Sequence, residues 1–258
     1  MEKIKKIINL ILKKFDLKLI KYSNYENLLI NETKAFDLKF LNLINKKNIT
    51  NTIKLFPHSY SQLRQDIFVL NETNFKKRGL FIEFGAANGV SNSNTFLLEK
   101  KFNWKGILVE PAKKFYKELK RKRNCYIENK IVYKDSKSKL IFYQTYNPEL
   151  STINLNNKHN RDFVQSKYEL ETISLNDLLR KYNMPKIIDY LSIDTEGSEF
   201  DILSNFNFKE FKFRIITCEH NFGPNRKKIF NLLLKNNYTR KFSEISQFDD
   251  WYIYKSII

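Results

Sequence analysis

The sequence predicts an α/β fold, in which a mostly parallel sheet ends in an antiparallel C-terminal hairpin and follows an N-terminal helical extension. After Leu80, short apolar runs alternate with helical segments, which is typical of buried parallel strands. The last two β-type runs are separated by only a short turn, as hairpin strands are. The chain also holds only 6 glycines, where about 18 are usual for this length. Each glycine is therefore expected at a turn or at a close backbone approach.

Length and composition narrow the class of protein further. A chain of 258 residues with 42% hydrophobic residues is large enough for a domain with a real core. Its two cysteines, Cys125 and Cys218, are too few for a disulfide framework and lie in apolar surroundings, which fits a reducing compartment. No apolar run is long enough to span a membrane, and lysines interrupt the N-terminal apolar stretch, unlike in a signal peptide. We therefore expect a cytoplasmic protein.

The elements follow in chain order from these patterns. Residues 1–54 are expected to form a basic helical region, in which Met1–Lys21 carries an apolar stripe at helical spacing and a second helix covers about residues 25–47. The predicted strands of the sheet are 80–84, 106–110, 124–128, 187–194 and 213–219, and the hairpin strands are 238–244 and 249–256. The predicted helices between the strands are about 94–101, 112–122, 175–182, 199–205 and 225–236. A β-rich insertion is expected at 131–173.

The formal charge of +18 is concentrated in two segments, since residues 1–60 carry +7 and residues 100–139 carry +10. Such segments are typical of surfaces that meet nucleic acid, anionic lipid or a phosphate-bearing substrate, and equally of solvated lysine-rich faces. A basic amphipathic helix in residues 1–21 either lies on a membrane surface or packs on protein. Peripheral membrane contact through residues 1–21 therefore stays open beside a purely cytoplasmic location.

A polar loop with two glycines follows the first predicted strand. Gly85 permits a tight strand-to-helix turn, and Gly89 lets the backbone approach a ligand. The polar run 91–95 then begins the next helix, where unpaired backbone N–H groups can receive a carboxylate or a phosphate. Glu83 points from the end of the strand. The Gly-x-Gly-x-x-Gly motif of a nicotinamide site is absent.

Acidic residues stand at the ends of the other strands. Glu110 follows the second strand, where an acid accepts the hydroxyls of an adenosine ribose. Asn129 follows the third strand, at the position that flanks an adenine. Asp194 ends the fourth strand, and Glu219 with His220 ends the fifth; ligands bind at this edge of open α/β sheets. The alternative for these residues is helix capping or a surface position.

The chain resembles the FkbM-type methyltransferase family in several motifs that agree in order and spacing over roughly residues 55–255. These motifs are SQLRQDIFVL, FIEFGAANGVSNSNTFLLEK, WKGILVEP, TISLNDLL, DYLSIDTEGSEFDIL and ITCEHN. The resemblance implies a class I methyltransferase domain at 55–258 with a seven-stranded Rossmann-like sheet, which uses S-adenosylmethionine to methylate hydroxyl groups of sugars in polysaccharide or natural-product biosynthesis. Ala87-Asn88 stands where Asn-Asp is common in the family.

The resemblance also assigns parts of the cofactor site. It places Glu83, Gly85 and Gly89 around the methionine part of the cofactor and Glu110 on the ribose. With their neighbours, the predicted cofactor contacts are Glu83, Gly85, Ala86, Gly89, Asn94, Thr95, Glu110 and Asn129. The segment before the sheet and the loop after the fourth strand carry more polar groups than a linker needs, so we select Gln62, Arg64, Asp66 and Glu196 as candidate substrate contacts.

Methyl transfer to a hydroxyl needs a group that takes or shares the proton, and Asp194 with His220 are the predicted base and orienting group. A sharper hypothesis is that Asp194, Glu219 and His220 hold Mg²⁺ or Mn²⁺, which would polarise the acceptor hydroxyl. The basic segments fit a phosphorylated or lipid-linked glycan as the acceptor. They also suit an RNA methyltransferase, but the fourth strand lacks an Asn-Pro-Pro-aromatic motif and no RNA-binding module is recognisable. A cofactor-binding protein without catalysis is disfavoured by the acids at the strand ends.

Overall fold

The computed structural model describes residues 21–146, 150–153 and 163–255, together with the single positions 8, 12 and 13. The helix predicted for Met1–Lys21 therefore falls almost entirely outside the described residues. The chain divides into two compact units, Met1–Lys46 and Lys47–Ile258, so the division falls eight residues before the predicted boundary at 54/55. In the second unit, the buried side chains of Thr52 and Asn71 are joined by a hydrogen bond of 3.0 Å, which ties the segment after Lys47 to the α/β domain.

The described part of the first unit is one long helix, α1 (Tyr22–Leu43). The second unit holds the other helices: α2 (Ile49–Leu55), α3 (Gln65–Glu72), α4 (Phe96–Phe102), α5 (Lys113–Lys122), α6 (Leu175–Lys181), α7 (Glu199–Ser204) and α8 (Arg226–Lys235). Short 3₁₀ turns occupy Lys46–Asn48 and Phe56–His58. No helix in the described part of the chain is both long enough and apolar enough to cross a membrane.

In the described part of the chain, ten strands form two sheets. The strands are β1 (Leu80–Phe84), β2 (Lys105–Val109), β3 (Tyr126–Glu128), β4 (Ile131–Tyr133), β5 (Lys139–Thr145), β6 (Val164–Ser174), β7 (Ile187–Ile193), β8 (Lys212–Glu219), β9 (Tyr238–Lys241) and β10 (Asp249–Tyr254). The large sheet has the order β3-β2-β1-β7-β8-β10-β9. The insertion forms the small sheet β4-β6-β5, as its β-rich sequence predicted.

The pairing of the large sheet confirms the predicted fold class. Its first five strands run parallel, and β10 runs antiparallel between β8 and β9. The central strands are buried along nearly their whole length, because helices cover both faces of a parallel sheet. This burial explains why they are apolar throughout rather than alternating. The apolar core lies between the sheet and the helices α6, α7 and α8.

Strand order also fixes where a ligand can bind. β1 pairs with β2 on one side and with β7 on the other, so the connections that leave these strands diverge to opposite sides of the sheet. A crevice opens at such a switch point, outside the carboxyl ends of the strands. The polar motifs of the sequence are therefore brought to a single edge of the sheet.

Candidate active site

A cavity of about 480 Å³ lies at the carboxyl edge of the large sheet. Its walls come from the loop after β1, the ends of β2, β7 and β8, the insertion residues 150–153, and the start of β10. Of the residues predicted from the sequence, those that line the cavity are Gln62, Gly85, Ala86, Asn94, Glu110, Asp194, Glu196 and Glu219. Those that do not are Arg64, Asp66, Glu83, Gly89, Thr95, Asn129 and His220.

Glycine is required where the loop after β1 passes the end of β7. Gly85 has φ +73°, in the left-handed region, and a Cβ there would stand 2.1 Å from the carbonyl oxygen of Asp194. Gly89 has φ +77°, and its Cβ would stand 2.6 Å from a methyl carbon of Leu119. Both positions have the positive φ that favours glycine, but the close approach at Gly89 is to Leu119 and Arg123 rather than to the cavity where a ligand was predicted.

A buried network of charged and hydroxyl side chains fixes the position of this loop. The Glu83 carboxylate accepts hydrogen bonds from Asn94 N at 2.7 Å and from Thr95 Oγ1 at 2.5 Å. Arg123, with no exposed side-chain surface, donates to Glu99 Oε2 at 2.7 Å, to Thr95 Oγ1 at 2.8 Å and to the carbonyl oxygen of Gly89 at 2.8 Å. Among the described residues, Glu83 and Thr95 thus contact the loop and Arg123, and they support the cavity wall without lining the cavity.

Glu110 combines a cavity position with two fixed hydrogen bonds. Its carboxylate oxygens accept from the backbone N–H groups of Ala87 and Ala112, each at 2.7 Å. These bonds set the carboxylate beside the loop after β1; the predicted contact with a ribose stays a prediction. Asn129 lies outside the cavity, and its neighbour Glu128 is engaged by an ion pair with Lys181.

Asn94 presents an unsatisfied acceptor to the cavity wall. Its amide nitrogen donates to Ser192 Oγ at 3.0 Å. Its Oδ1 atom is buried and has no hydrogen-bond partner among the described residues. Because a buried polar atom without a partner is costly, this oxygen is matched to a ligand that brings an N–H or O–H donor.

Three carboxylates converge at the ends of β7 and β8. Asp194, Glu196 and Glu219 each place an oxygen within 4.8 Å of the others. Burial, reinforced by the neighbouring acids, raises the pKa of Glu196 and of Glu219 to about 8 and that of Asp194 well above its usual range. Glu199 holds the turn behind them, because its Oε1 accepts from the backbone N–H groups of Thr195 and Gly197.

His220 does not join this cluster, which corrects the predicted Asp194–Glu219–His220 arrangement. Successive side chains at a strand end point to opposite faces, so only Glu219 of the adjacent pair reaches the cavity. His220 Nδ1 accepts from the backbone N–H of Phe222 at 3.0 Å, and Nε2 lies 3.6 Å from Asp250 Oδ1. Burial lowers the pKa of this imidazole. In the candidate metal set, Glu196 takes the place assigned to His220.

The segment before the sheet contributes less than predicted. Arg64 donates to the carbonyl oxygen of Phe56 at 3.1 Å and lies over its ring. Asp66 accepts from Ser59 Oγ at 2.7 Å and from Ile67 N at 2.8 Å, so it stabilises the start of α3. Burial raises the pKa of Asp66 to about 6. Gln62 is thus the residue of the three that meets the cavity.

Several residues of the site were not among the candidates selected from the sequence. The additional polar side chains at the cavity include Gln65, Asn221 and Asp249, and the missed support is Arg123. Gln65 stands in a segment that the sequence marked as unusually polar. Across the described lining, the acids Glu110, Asp194, Glu196, Glu219 and Asp249 occur with no lysine, arginine or histidine. This acidic cavity belongs to a chain with a net charge of +18.

Two solved methyltransferase structures are among those to which this chain is similar. A methyltransferase FkbM from Methylobacillus flagellatus KT shares 12% sequence identity, with a TM-score of 0.44, over 81% of this chain and 59% of that chain. A precorrin-6y C5,15-methyltransferase from Geobacter metallireducens GS-15 also shares 12%, with a TM-score of 0.40, over 73% of this chain and 85% of that chain. A search of curated proteins finds no match.

The family itself is shown by the sequence model of the FkbM methyltransferase domain. That model matches residues 83–253, about two thirds of the chain. The matched range begins within β1 and ends within β10, so it includes the described cavity lining apart from Gln62 and Gln65. The chain therefore belongs to the FkbM methyltransferase family, whose methyl donor is S-adenosylmethionine.

Proposed function

We propose that this methyltransferase transfers a methyl group from S-adenosylmethionine to a hydroxyl oxygen of a sugar or glycan in polysaccharide or natural-product biosynthesis. The observation that carries the proposal is the set of five cavity carboxylates without a cationic neighbour in the described lining. Carboxylates accept hydrogen bonds from hydroxyl groups, and a cavity with this charge disfavours an anionic reacting group. Sugar hydroxyls are uncharged and donate hydrogen bonds, so they suit this acidic cavity.

The residues of the cavity fit the cofactor. S-adenosylmethionine supplies an electrophilic methyl group on a positively charged sulfur. Glu110 would accept the ribose hydroxyls, as at the second strand of related nucleotide-binding sheets. The buried Oδ1 of Asn94 would accept from the cofactor's ammonium group, which removes its unsatisfied state. Asp194, Glu196 and Glu219 would offset the sulfonium charge.

The same three carboxylates support metal dependence with a revised ligand set, in which Glu196 replaces His220. Asp194, Glu196 and Glu219 offer an all-oxygen ligand set, which is the kind that Mg²⁺ and Mn²⁺ prefer. A cation there and the sulfonium charge compete for one region of negative potential. Methyl transfer that is unchanged after exhaustive chelation, and unchanged by added Mg²⁺ or Mn²⁺, would exclude the metal.

A charged part of the acceptor fits outside the cavity. Helix α5 begins beside the cavity residue Pro111 and exposes six basic side chains: Lys113, Lys114, Lys117, Lys120, Arg121 and Lys122. This surface suits a phosphate or a lipid-linked diphosphate attached to the sugar. The same basic surface also suits RNA, which is therefore the second candidate acceptor.

The experiment is methyl transfer from radiolabelled S-adenosylmethionine to matched acceptor panels. One panel contains neutral oligosaccharides and nucleotide sugars, and the other contains RNA transcripts. We expect label on a sugar hydroxyl and none on RNA, with Asp194→Asn as the active-site control. Label on RNA bases alone would replace the proposed function with the second candidate.

A further inference from the structure

Asp249 stands at the cavity although it is far in sequence from the other site residues. It is the first residue of β10, and an antiparallel strand begins where its parallel neighbours end. Asp249 is therefore paired with Glu219, the last residue of β8. Its side chain is 4% exposed and lines the cavity.

Two buried donors fix the orientation of this carboxylate. Gln65 Nε2 donates to Asp249 Oδ2 at 3.0 Å, and Trp251 Nε1 donates to the same oxygen at 3.1 Å. The Gln65 amide is itself oriented, because its Oε1 accepts from the backbone N–H of Leu63 at 2.9 Å. Both donors meet Oδ2, and no described residue donates to Oδ1. The second oxygen is thus left for a ligand in the cavity.

A structural role alone does not explain an acid at this position. Asp249 faces Glu219 across the strand pair, so two carboxyl groups are brought together there. The side-chain oxygen of an asparagine would accept the same two hydrogen bonds without adding a second acid at this point. Burial raises the pKa of Asp249 to about 7, the bonds from Gln65 and Trp251 lower it, and the nearby Asp194 raises it.

We propose that Asp249 is the catalytic base and that Gln65 positions it; this inference rests on the proposed O-methylation. Asp249 Oδ1 accepts the hydrogen bond of the acceptor hydroxyl. As that oxygen forms its bond to the methyl carbon, the carbon–sulfur bond breaks and its electron pair goes to sulfur. The hydroxyl proton passes to Oδ1, and the products are the methyl ether and a neutral thioether.

The two groups predicted from the sequence fit this role less well. Asp194 belongs to the three-carboxylate cluster assigned to the sulfonium charge or a cation, and burial and the neighbouring acids raise its pKa well above its usual range. His220 is not part of the cavity lining, and its Nε2 lies 3.6 Å from Asp250 Oδ1. Asp249 combines a cavity position, a fixed orientation and an oxygen to which no described residue donates.

The test uses the full-length protein with three variants and the oligosaccharide and nucleotide-sugar panel. Asp249→Asn keeps the acceptor for Gln65 and Trp251, so we expect S-adenosylmethionine binding within about 3-fold of wild type. Loss of a general base costs about 10²- to 10⁴-fold in kcat, and the rise of kcat around pH 7 should disappear. Gln65→Leu removes a bond that stabilises the ionised carboxylate, so the rise in kcat should move to higher pH. His220→Gln should keep the wild-type pH profile.

The results of these measurements distinguish a wrong role for Asp249 from a wrong proposed function. A kcat within 10-fold of wild type in Asp249→Asn, with the rise near pH 7 retained, would overturn the role of Asp249. Loss of that rise in His220→Gln alone would transfer the role to His220. If Asp249→Asn does not bind the cofactor, the shift expected in Gln65→Leu decides the question. If the wild-type protein binds S-adenosylmethionine and methylates no hydroxyl of the panel, the proposed function fails and this inference with it.

Discussion

The affinity for S-adenosylmethionine should rise with pH, whereas the affinity for its product, S-adenosylhomocysteine, should not. The relevant groups are Glu196 and Glu219, whose pKa values burial raises to about 8. Both are therefore largely protonated at pH 7 in the free enzyme. A sulfonium charge beside them favours the ionised form, so binding releases protons. Affinity is then lowest at acidic pH, increases toward pH 8 and becomes constant above it.

The size of the effect follows from the spacing of the cluster. Its carboxylate oxygens lie within 4.8 Å of one another. A unit positive charge at about that distance from one carboxylate gains about 3.5 kcal/mol at an effective dielectric constant of about 20. This energy corresponds to about 2.5 pKa units, or roughly 300-fold in affinity for each carboxylate that ionises. The product is a neutral thioether and lacks this gain.

Isothermal titration calorimetry of both ligands between pH 5.5 and 9 measures the difference. The ratio of the two affinities should rise by up to tenfold per pH unit for each proton released. The variants Glu196→Gln and Glu219→Gln keep the shape of the side chain and should flatten the rise. Parallel pH curves for the two ligands in wild type would refute the idea that these carboxylates face the sulfonium group.

Three further predictions concern the support of the site and its selectivity. Arg123→Met leaves buried carboxylates without their cation and should lower the free energy of unfolding, measured in urea, by about 3 to 5 kcal/mol. Arg123→Lys should give an intermediate loss. A loss below about 1 kcal/mol for Arg123→Met would show that the network is dispensable. Gly85→Ala should lower the free energy of unfolding by about 2 to 5 kcal/mol, because it strains a left-handed backbone and overlaps with the Asp194 carbonyl. Calorimetry should also show that this variant no longer binds the cofactor. Gly223→Ala is the milder control, since Gly223 lacks a positive φ. Glucosides should be methylated at least tenfold faster than matched glucuronides, since the described cavity lining is acidic; an equal rate in a competition assay would contradict that selectivity.

The parts of the fold that were predictable are those that depend on local pattern. β1 and β7 are apolar at nearly every position because both of their faces are covered, and this pattern is visible in sequence. Gly85 was identifiable for a related reason, since a chain with so few glycines keeps them where the backbone needs them. The acids at the strand ends followed from the rule that ligands bind at the carboxyl edge of a parallel sheet.

The parts that escaped prediction depend on pairing in space. Asp249 starts a strand, and only the antiparallel register with β8 brings it beside Glu219. His220 follows Glu219 directly, and strand alternation sends it to the other face. Arg123 stands in a lysine-rich segment that suggests a solvated surface, yet it is buried by its bonds to Glu99 and to the loop. Neither burial nor register is encoded in composition.

The placement of β10 has a consequence for how the protein matures. Along the chain the order is β8, β9, β10, but in the described sheet β10 lies between the other two and is the one neighbour of β9. During synthesis from the amino end, β9 leaves the ribosome before β10, so β9 cannot pair within the sheet until β10 has been made. Gly85 and Glu110 leave the ribosome long before Asp249. With the roles proposed above, the residues for the methyl donor are therefore synthesised before the catalytic base, and the site is complete only when β10 has joined the sheet.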